Sequence, residues 1–176
     1  MAYVKKLRFI MNRGPYCYPN TMTKIFDFLY LGGEDDARDK NQLQLNGITH
    51  VINCAEFYCQ TGPAFYRDAI QKYIGFEAED DDDYDILQHF DDVHKVIEDA
   101  RLSGGKALIH CLMGVNRSGA LAVAYAMVYK QWGPITAAKY VKNARKMLLT
   151  NEEFQSQLVQ FARSKDLLHL EKLDSV

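Results

Sequence analysis

From Arg117 to Met127 the sequence reads R-S-G-A-L-A-V-A-Y-A-M, and after the arginine no charged side chain appears until Lys130. A helix that is apolar nearly all round has no face to give to water, so other layers must enclose it on every side. The residues just before it, Lys106 to Cys111, form a short apolar run bounded by Gly104-Gly105, the pattern of a buried strand. A buried strand feeding a buried helix through a tight loop confines the chain to folds in which helices wrap a sheet. Cys111 closes the strand, and Arg117 and Ser118 open the helix six residues later.

With 176 residues, 48% hydrophobic and 25% charged, the chain can build one domain with a core of its own. A net charge of −2 gives no global signal for nucleic acid or an anionic membrane surface. The apolar runs are far shorter than the roughly 20 residues of a membrane span. The charged N-terminus does not read as a secretory signal. Cys17, Cys54, Cys59 and Cys111 show no metal-type or redox-type spacing. Reduced thiols and a cytoplasmic or nuclear location are the expectation.

Elsewhere strand and helix patterns alternate. Lys24 to Gly33 reads as paired edge strands, residues 35–46 as one short helix stopped near Gly47, and Ile48 to Ala55 as a buried strand. An aromatic-rich loop fills 56–71, a strand covers Lys72 to Ala78, and an acidic run Glu79 to Asp83 follows. Ile86, Phe90, Val93, Ile97 and Ala100 recur at helical spacing. Pro134 starts another helix with Ile135, Ala138 and Val141 inward, and Asn151 caps a last one that buries Phe154, Leu158 and Phe161. The expected fold is α/β, with a central mostly parallel sheet flanked by helices. Residues 24–165 form the domain, 1–23 an N-terminal arm packed on it, and 166–176 a tail. Ligands in such sheets sit beyond the carboxyl ends of strands, where Cys111 lies.

The loop itself has the makings of an anion cradle. Backbone N–H groups of Leu112, Met113, Gly114, Val115 and Asn116, and on through Arg117 to Ser118, can converge on one point, reinforced by the positive end of the following helix. Gly114 lets the loop bend, and Arg117 offers a planar fork suited to two phosphoryl oxygens. Helix N-termini and nearby cations lower thiol pKa values from ~8.5 to roughly 3.5–7.5, so a cysteine beneath this cradle is expected to react as a thiolate. A thiolate under phosphorus is aligned for in-line attack, giving a phosphocysteine that water must then hydrolyse. Taken singly, Cys111 reads more simply as a small buried hydrophobe; the arginine, glycine and serine at fixed spacing reverse that. Cys54 keeps the structural reading, while a disulfide from Cys54 or Cys59 to Cys111 stays an alternative.

His110-Cys111-Leu112-Met113-Gly114-Val115-Asn116-Arg117-Ser118 matches the H-C-x-x-G-x-x-R-S/T signature of cysteine-dependent protein phosphatases. The chain resembles their small dual-specificity branch, of the Vaccinia H1-related type. Similar segments, in family order, are L-Q-L-N-G-I-T-H-V-I-N at 43–53, A-F-Y-R-D at 64–68, E-A-E-D at 77–80, A-Y-A-M at 124–127 and N-E-E-F-Q-S-Q-L at 151–158. The resemblance implies the protein tyrosine phosphatase-like fold and hydrolysis of phosphotyrosine, phosphoserine and phosphothreonine in proteins. It makes Cys111 the nucleophile, Arg117 the ligand of phosphate and transition state, and Ser118 a donor to the cysteine sulfur. His110 would hold the loop from behind. Neither a metal nor a cofactor is implied.

A departing alkoxide or phenoxide needs a proton, and the acidic run after the strand Lys72 to Ala78 is the source. Four consecutive aspartates leave the register open; the resemblance places the acid at Asp80, with Asp81 second. It also brings Arg145 to the rim, to meet a second phosphate or an acidic flank, against its ordinary reading as part of a solvated helix face. No basic residue lies between Cys111 and Arg117, which favours a singly phosphorylated side chain over polyanionic lipid or nucleotide substrates. Mitogen-activated protein kinases follow as candidate substrates from the family alone. A phosphate-binding adaptor without turnover is the rival from another class, and the oligomeric state is not legible.

Overall fold

The computed structural model describes residues 2–14 and 17–171. An N-terminal helix, α1 (Ala2–Met11), buries Leu7 and Met11 against the later helices. The hairpin follows as β1 (Thr23–Phe26) and β2 (Leu29–Gly32). Of the two hairpin strands β1 alone is an edge, because β2 also pairs in parallel with a strand from the centre of the sheet. The polar stretch after it is two helices, α2 (Glu34–Arg38) and α3 (Lys40–Asn46). Asp39 leaves helical geometry between them and its side chain accepts the Gln42 N–H, so it ends one helix by capping the next. Gly47 closes α3 in the left-handed region at φ 71°.

Strand β3 (His50–Asn53) precedes the aromatic loop, which contains a single-turn helix, α4 (Pro63–Tyr66), with proline in its first turn. Strand β4 (Lys72–Gly75) is shorter than its sequence suggests. Residues 76–78 still run along the chain after β3, through Phe76 N–H to Asn53 O and Ala78 N–H to Cys54 O. Helix α5 (Phe90–Leu102) leads into β5 (Ala107–His110), and then come α6 (Arg117–Lys130), α7 (Pro134–Ala144) and α8 (Glu152–Ser164). The tail past Glu171 lies outside the described residues. Glu171 itself reaches back, its carboxylate accepting the Ile135 and Thr136 N–H groups at the open start of α7.

The sheet order is β1-β2-β5-β3-β4, and all pairs except the hairpin are parallel. Register aligns Leu31, Ile109 and Ile52 in one row, and Tyr30, Leu108 and Val51 in the next. The first row packs into the large core with α5 and α6; the second joins Leu43, Ile48 and Tyr66 on the opposite face. This is the period-two alternation of a strand buried on both faces. Every residue of α6 from Arg117 to Met127 is buried, as its uniform apolarity requires. The last paired row is Gly32, His110 and Asn53, so Cys111 stands at the carboxyl edge of the middle strand.

Candidate active site

The loop 111–116 joins the centre of the sheet to the start of α6, and its shape follows from what holds its carbonyls. Leu112 O accepts from Glu34 N at 2.9 Å, Met113 O from Arg145 Nη2 at 3.1 Å and Gly114 O from Arg145 Nε at 2.6 Å. Val115 O accepts from Leu149 N at 3.1 Å, and Asn116 O from Ala120 N at 2.7 Å. In a trans peptide the carbonyl and the following N–H point in opposite directions, and no described peptide bond is cis. Tying five successive carbonyls to the surrounding structure therefore turns the next N–H groups toward the inside of the loop. The Gly114 N–H lies 3.3 Å from Cys111 Sγ. Those of Met113, Val115 and Asn116 donate to no protein acceptor among the described residues. Gly114 is required: its φ is +64°, and a Cβ there would come within 2.4 Å of Gly32 O.

Cys111 sits at the bottom of this ring, 2% exposed, with Ser118 Oγ donating to its sulfur at 3.2 Å. Arg117 is 6% exposed; its Nη1 donates to Ala78 O at 3.1 Å, and its buried Nε has no partner among the described residues. A guanidinium fastened at one nitrogen, with another donor unspent in a cleft, fits a ligand oxygen. The cleft, about 520 Å³, is lined by Arg117, Leu112, Phe57, Tyr58 and the carboxylates of Glu77, Glu79, Asp80 and Asp81.

Asp80 is the carboxylate of the acidic run that is tied to the loop. Its Oδ2 accepts from Asn116 Nδ2 at 3.0 Å and its Oδ1 from Asn151 Nδ2 at 3.1 Å. Asp81 instead closes its own turn by accepting the Asp83 N–H at 3.0 Å. Asn116 thus contributes its side chain to the acid rather than to the cradle, and its Oδ1 also accepts from Thr150 Oγ1 and Asn151 N. Asn151 caps α8 with its own carbonyl oxygen while its amide holds Asp80. The first role is legible in the sequence; the second depends on a contact across 71 residues.

Arg145 is a correction. It is 1% exposed, and its donors go to Gly114 O, Met113 O, Thr21 O, Thr23 Oγ1 and Leu31 O. It is a strut behind the loop, not a ligand-facing cation at the rim, because α7 ends at Ala144 and the next residue turns inward in extended geometry.

His110 is wholly buried beneath the loop, its Nδ1 4.0 Å from Cys59 Sγ and 3.4 Å from Cys111 O. Burial pushes its pKa down to about 4, so the ring is neutral. Cys54 is a neutral thiol: burial, and then charge at Cys111, raise its pKa well above the ordinary thiol value. Burial likewise pushes Cys59 up to about 11. All four cysteines are free.

Residues 29–164 match the family model described as dual specificity phosphatase, catalytic domain. The chain is 34% identical over 146 residues to protein phosphatase Slingshot of Drosophila melanogaster, an overlap of 83% of this chain and 14% of that protein. It is 35% identical over 142 residues to dual specificity protein phosphatase 22-A of Danio rerio, covering 81% and 65% of the two chains. It therefore spans less than two thirds of either relative. Among solved structures it superposes on DUSP15 with a TM-score of 0.75 at 32% identity, over 89% of this chain and 99% of the other. Superposition on the human tyrosine phosphatase-like serine/threonine/tyrosine-interacting protein gives a TM-score of 0.74 at 27% identity, over 84% and 99%.

Two outcomes follow from the supports of the loop. Replacing Arg145 by methionine leaves the Met113 and Gly114 carbonyls without donors and should cost about 2–5 kcal/mol in urea unfolding; a loss under about 0.5 kcal/mol would show that the strut is dispensable. His110 is neutral when folded and titrates near 6.5 when unfolded, so its contribution is complete above pH 6.5 and is lost as pH falls toward 4. Between pH 7 and pH 5 the wild type should lose roughly 2 kcal/mol more than His110→Gln; parallel pH profiles would refute the burial effect.

Proposed function

The chain belongs to the dual specificity phosphatase family, and from that premise we propose that it hydrolyses phosphotyrosine, phosphoserine and phosphothreonine in proteins through a phosphocysteine intermediate. The observation that carries the reading is a sulfur at the base of a ring of unspent N–H groups, with two donors already on it. The phosphoryl group seats in the ring, its non-bridging oxygens on the loop amides and the Arg117 guanidinium. The Cys111 thiolate attacks phosphorus from below, forming the S–P bond as the bond to the leaving oxygen breaks. Asp80 gives its proton to that oxygen.

Water then attacks the phosphocysteine from the vacated side, with the Asp80 carboxylate taking its proton. The S–P bond breaks, inorganic phosphate leaves, and the electron pair returns to sulfur. Ser118 O–H and Gly114 N–H, 3.2 and 3.3 Å from the sulfur, stabilise the thiolate at that moment. Arg117 couples the two halves of the site, because the carbonyl it binds belongs to Ala78, two residues before Asp80. The phosphate ligands are thereby Cys111 to Arg117, without Arg145. Mitogen-activated protein kinases are one candidate class of substrate. An adaptor that binds without turnover is the reading that loss of any of these groups would favour, and all are present.

Activity on phosphotyrosine and phosphothreonine peptides tests the reading, and Asp80 tests the mechanism. Asp80→Ala should slow aryl phosphates with basic leaving groups by about 10²–10⁴-fold, and those with very acidic leaving groups little, since these depart without a proton. Asp81→Ala should leave that dependence as in wild type. A uniform loss across the series, or the leaving-group dependence moving to Asp81→Ala, would remove Asp80 from the role.

A further inference from the structure

The cleft beside the loop has four acidic side chains in its walls. Glu77, Glu79, Asp80 and Asp81 line it, and Arg117, the cation among its lining residues, has its Nη1 on Ala78 O. A second groove lies across Leu112, which lines both. It is bordered by Tyr18, Met113, Asp35 and Asp36, and Arg145, the cation among its described lining residues, has its donors on the carbonyls of Met113, Gly114, Thr21 and Leu31 and on Thr23 Oγ1.

Several of these carboxylates already have structural duties. Glu77 accepts the Phe57 N–H, Asp80 the two asparagine amides, Asp81 the Asp83 N–H, and Asp36 the Gly33 N–H. Glu79 and Asp35 do not: each is exposed, and neither side chain carries a hydrogen bond or ion pair among the described residues. One such group stands on each side of the loop. Next to Glu79, Phe57 and Tyr58 present an edge-to-face ring pair, 70% and 60% exposed, on the wall of the same cleft. Arg117, which lines this cleft, keeps a buried Nε with no partner among the described residues, a donor that an anionic group would satisfy.

We infer that the two grooves select phosphorylated residues carrying arginine or lysine on both sides, with Glu79 and Asp35 as the specificity-determining residues. The inference rests on the phosphatase reading above and adds the substrate class. A phosphorylated residue seated over the loop sends its neighbours into one groove each, since Leu112 floors both. Carboxylates of like sign repel one another and any acidic flank, and a basic flank relieves that repulsion. A guanidinium entering the first groove also finds the Phe57 and Tyr58 ring faces. Polyanionic substrates, with further phosphates beside the reacting one, meet the same wall and are disfavoured.

The test uses the full chain and three phosphotyrosine peptides of one core sequence, flanked on both sides by arginine, alanine or glutamate. The expected kcat/KM is about tenfold higher for the arginine peptide than for the glutamate peptide, as several partly screened ion pairs would give. That ratio should shrink at about 0.5 M salt, where screening shortens to a few ångströms. Combining Glu79→Gln with Asp35→Asn should bring the ratio to about twofold. Equal rates in the wild type, a preference for glutamate flanks, or a preference indifferent to both salt and the double substitution would each overturn the assignment. No wild-type turnover of any of the three peptides would instead remove the phosphatase reading, and this one with it.

Discussion

The site depends on carbonyls being held outward. A loop of six residues closing on a single sulfur would ordinarily let its peptide groups rotate. Here Glu34 N–H, the Arg145 guanidinium, Leu149 N–H and the first turn of α6 hold five successive carbonyls. The N–H groups are left facing the centre as a geometric consequence. Such a ring needs no reorganisation when an oxyanion arrives, the condition under which hydrogen-bond donors contribute most to a transition state. Burying the Arg145 guanidinium would be costly without its acceptors, so loop and strut stabilise each other.

The rest of the fold serves that arrangement. Glu34 comes from α2 just after the end of β2, Arg145 from the end of α7, and Leu149 from the connection into α8. These elements converge because β5 is the middle strand and α6 is buried along its length. An all-round apolar helix has little freedom to shift, and its first residue is Arg117. The acid loop is tied in through Ala78 O and through Asn116 and Asn151. In the proposed mechanism this is how nucleophile, phosphate ligand and proton donor, drawn from separate elements, share one geometry.

Much of this was legible in the sequence. The short apolar runs, the glycine and proline stops and the Asn151 cap place most elements, and the spacing from Cys111 to Ser118 marks the loop. Helix α1 lies within the expected N-terminal arm and carries its own signal: Val4, Leu7, Ile10 and Met11 follow helical spacing, and Leu7 and Met11 are buried. Arg145 was not legible. On a helix its spacing from Lys142 suggests a solvated face, and only the end of α7 at Ala144 turns it inward. Local reading of the run 80–83 leaves the register open, and the resemblance alone points to Asp80; which distant amides each aspartate meets is visible only in the fold. Local propensity locates elements; it does not reveal contacts made across 36 or 71 residues.

Acid quench of the wild-type protein during turnover of a phosphotyrosine peptide, followed by mapping of the modified residue, tests most directly whether Cys111 bonds to phosphorus. The predicted result is a thiophosphate ester on Cys111, formed within the first turnover and absent from Cys111→Ser, which binds the peptide without hydrolysing it. Phosphate found on another side chain, or turnover near the wild-type rate in Cys111→Ser, would contradict the mechanism at its root.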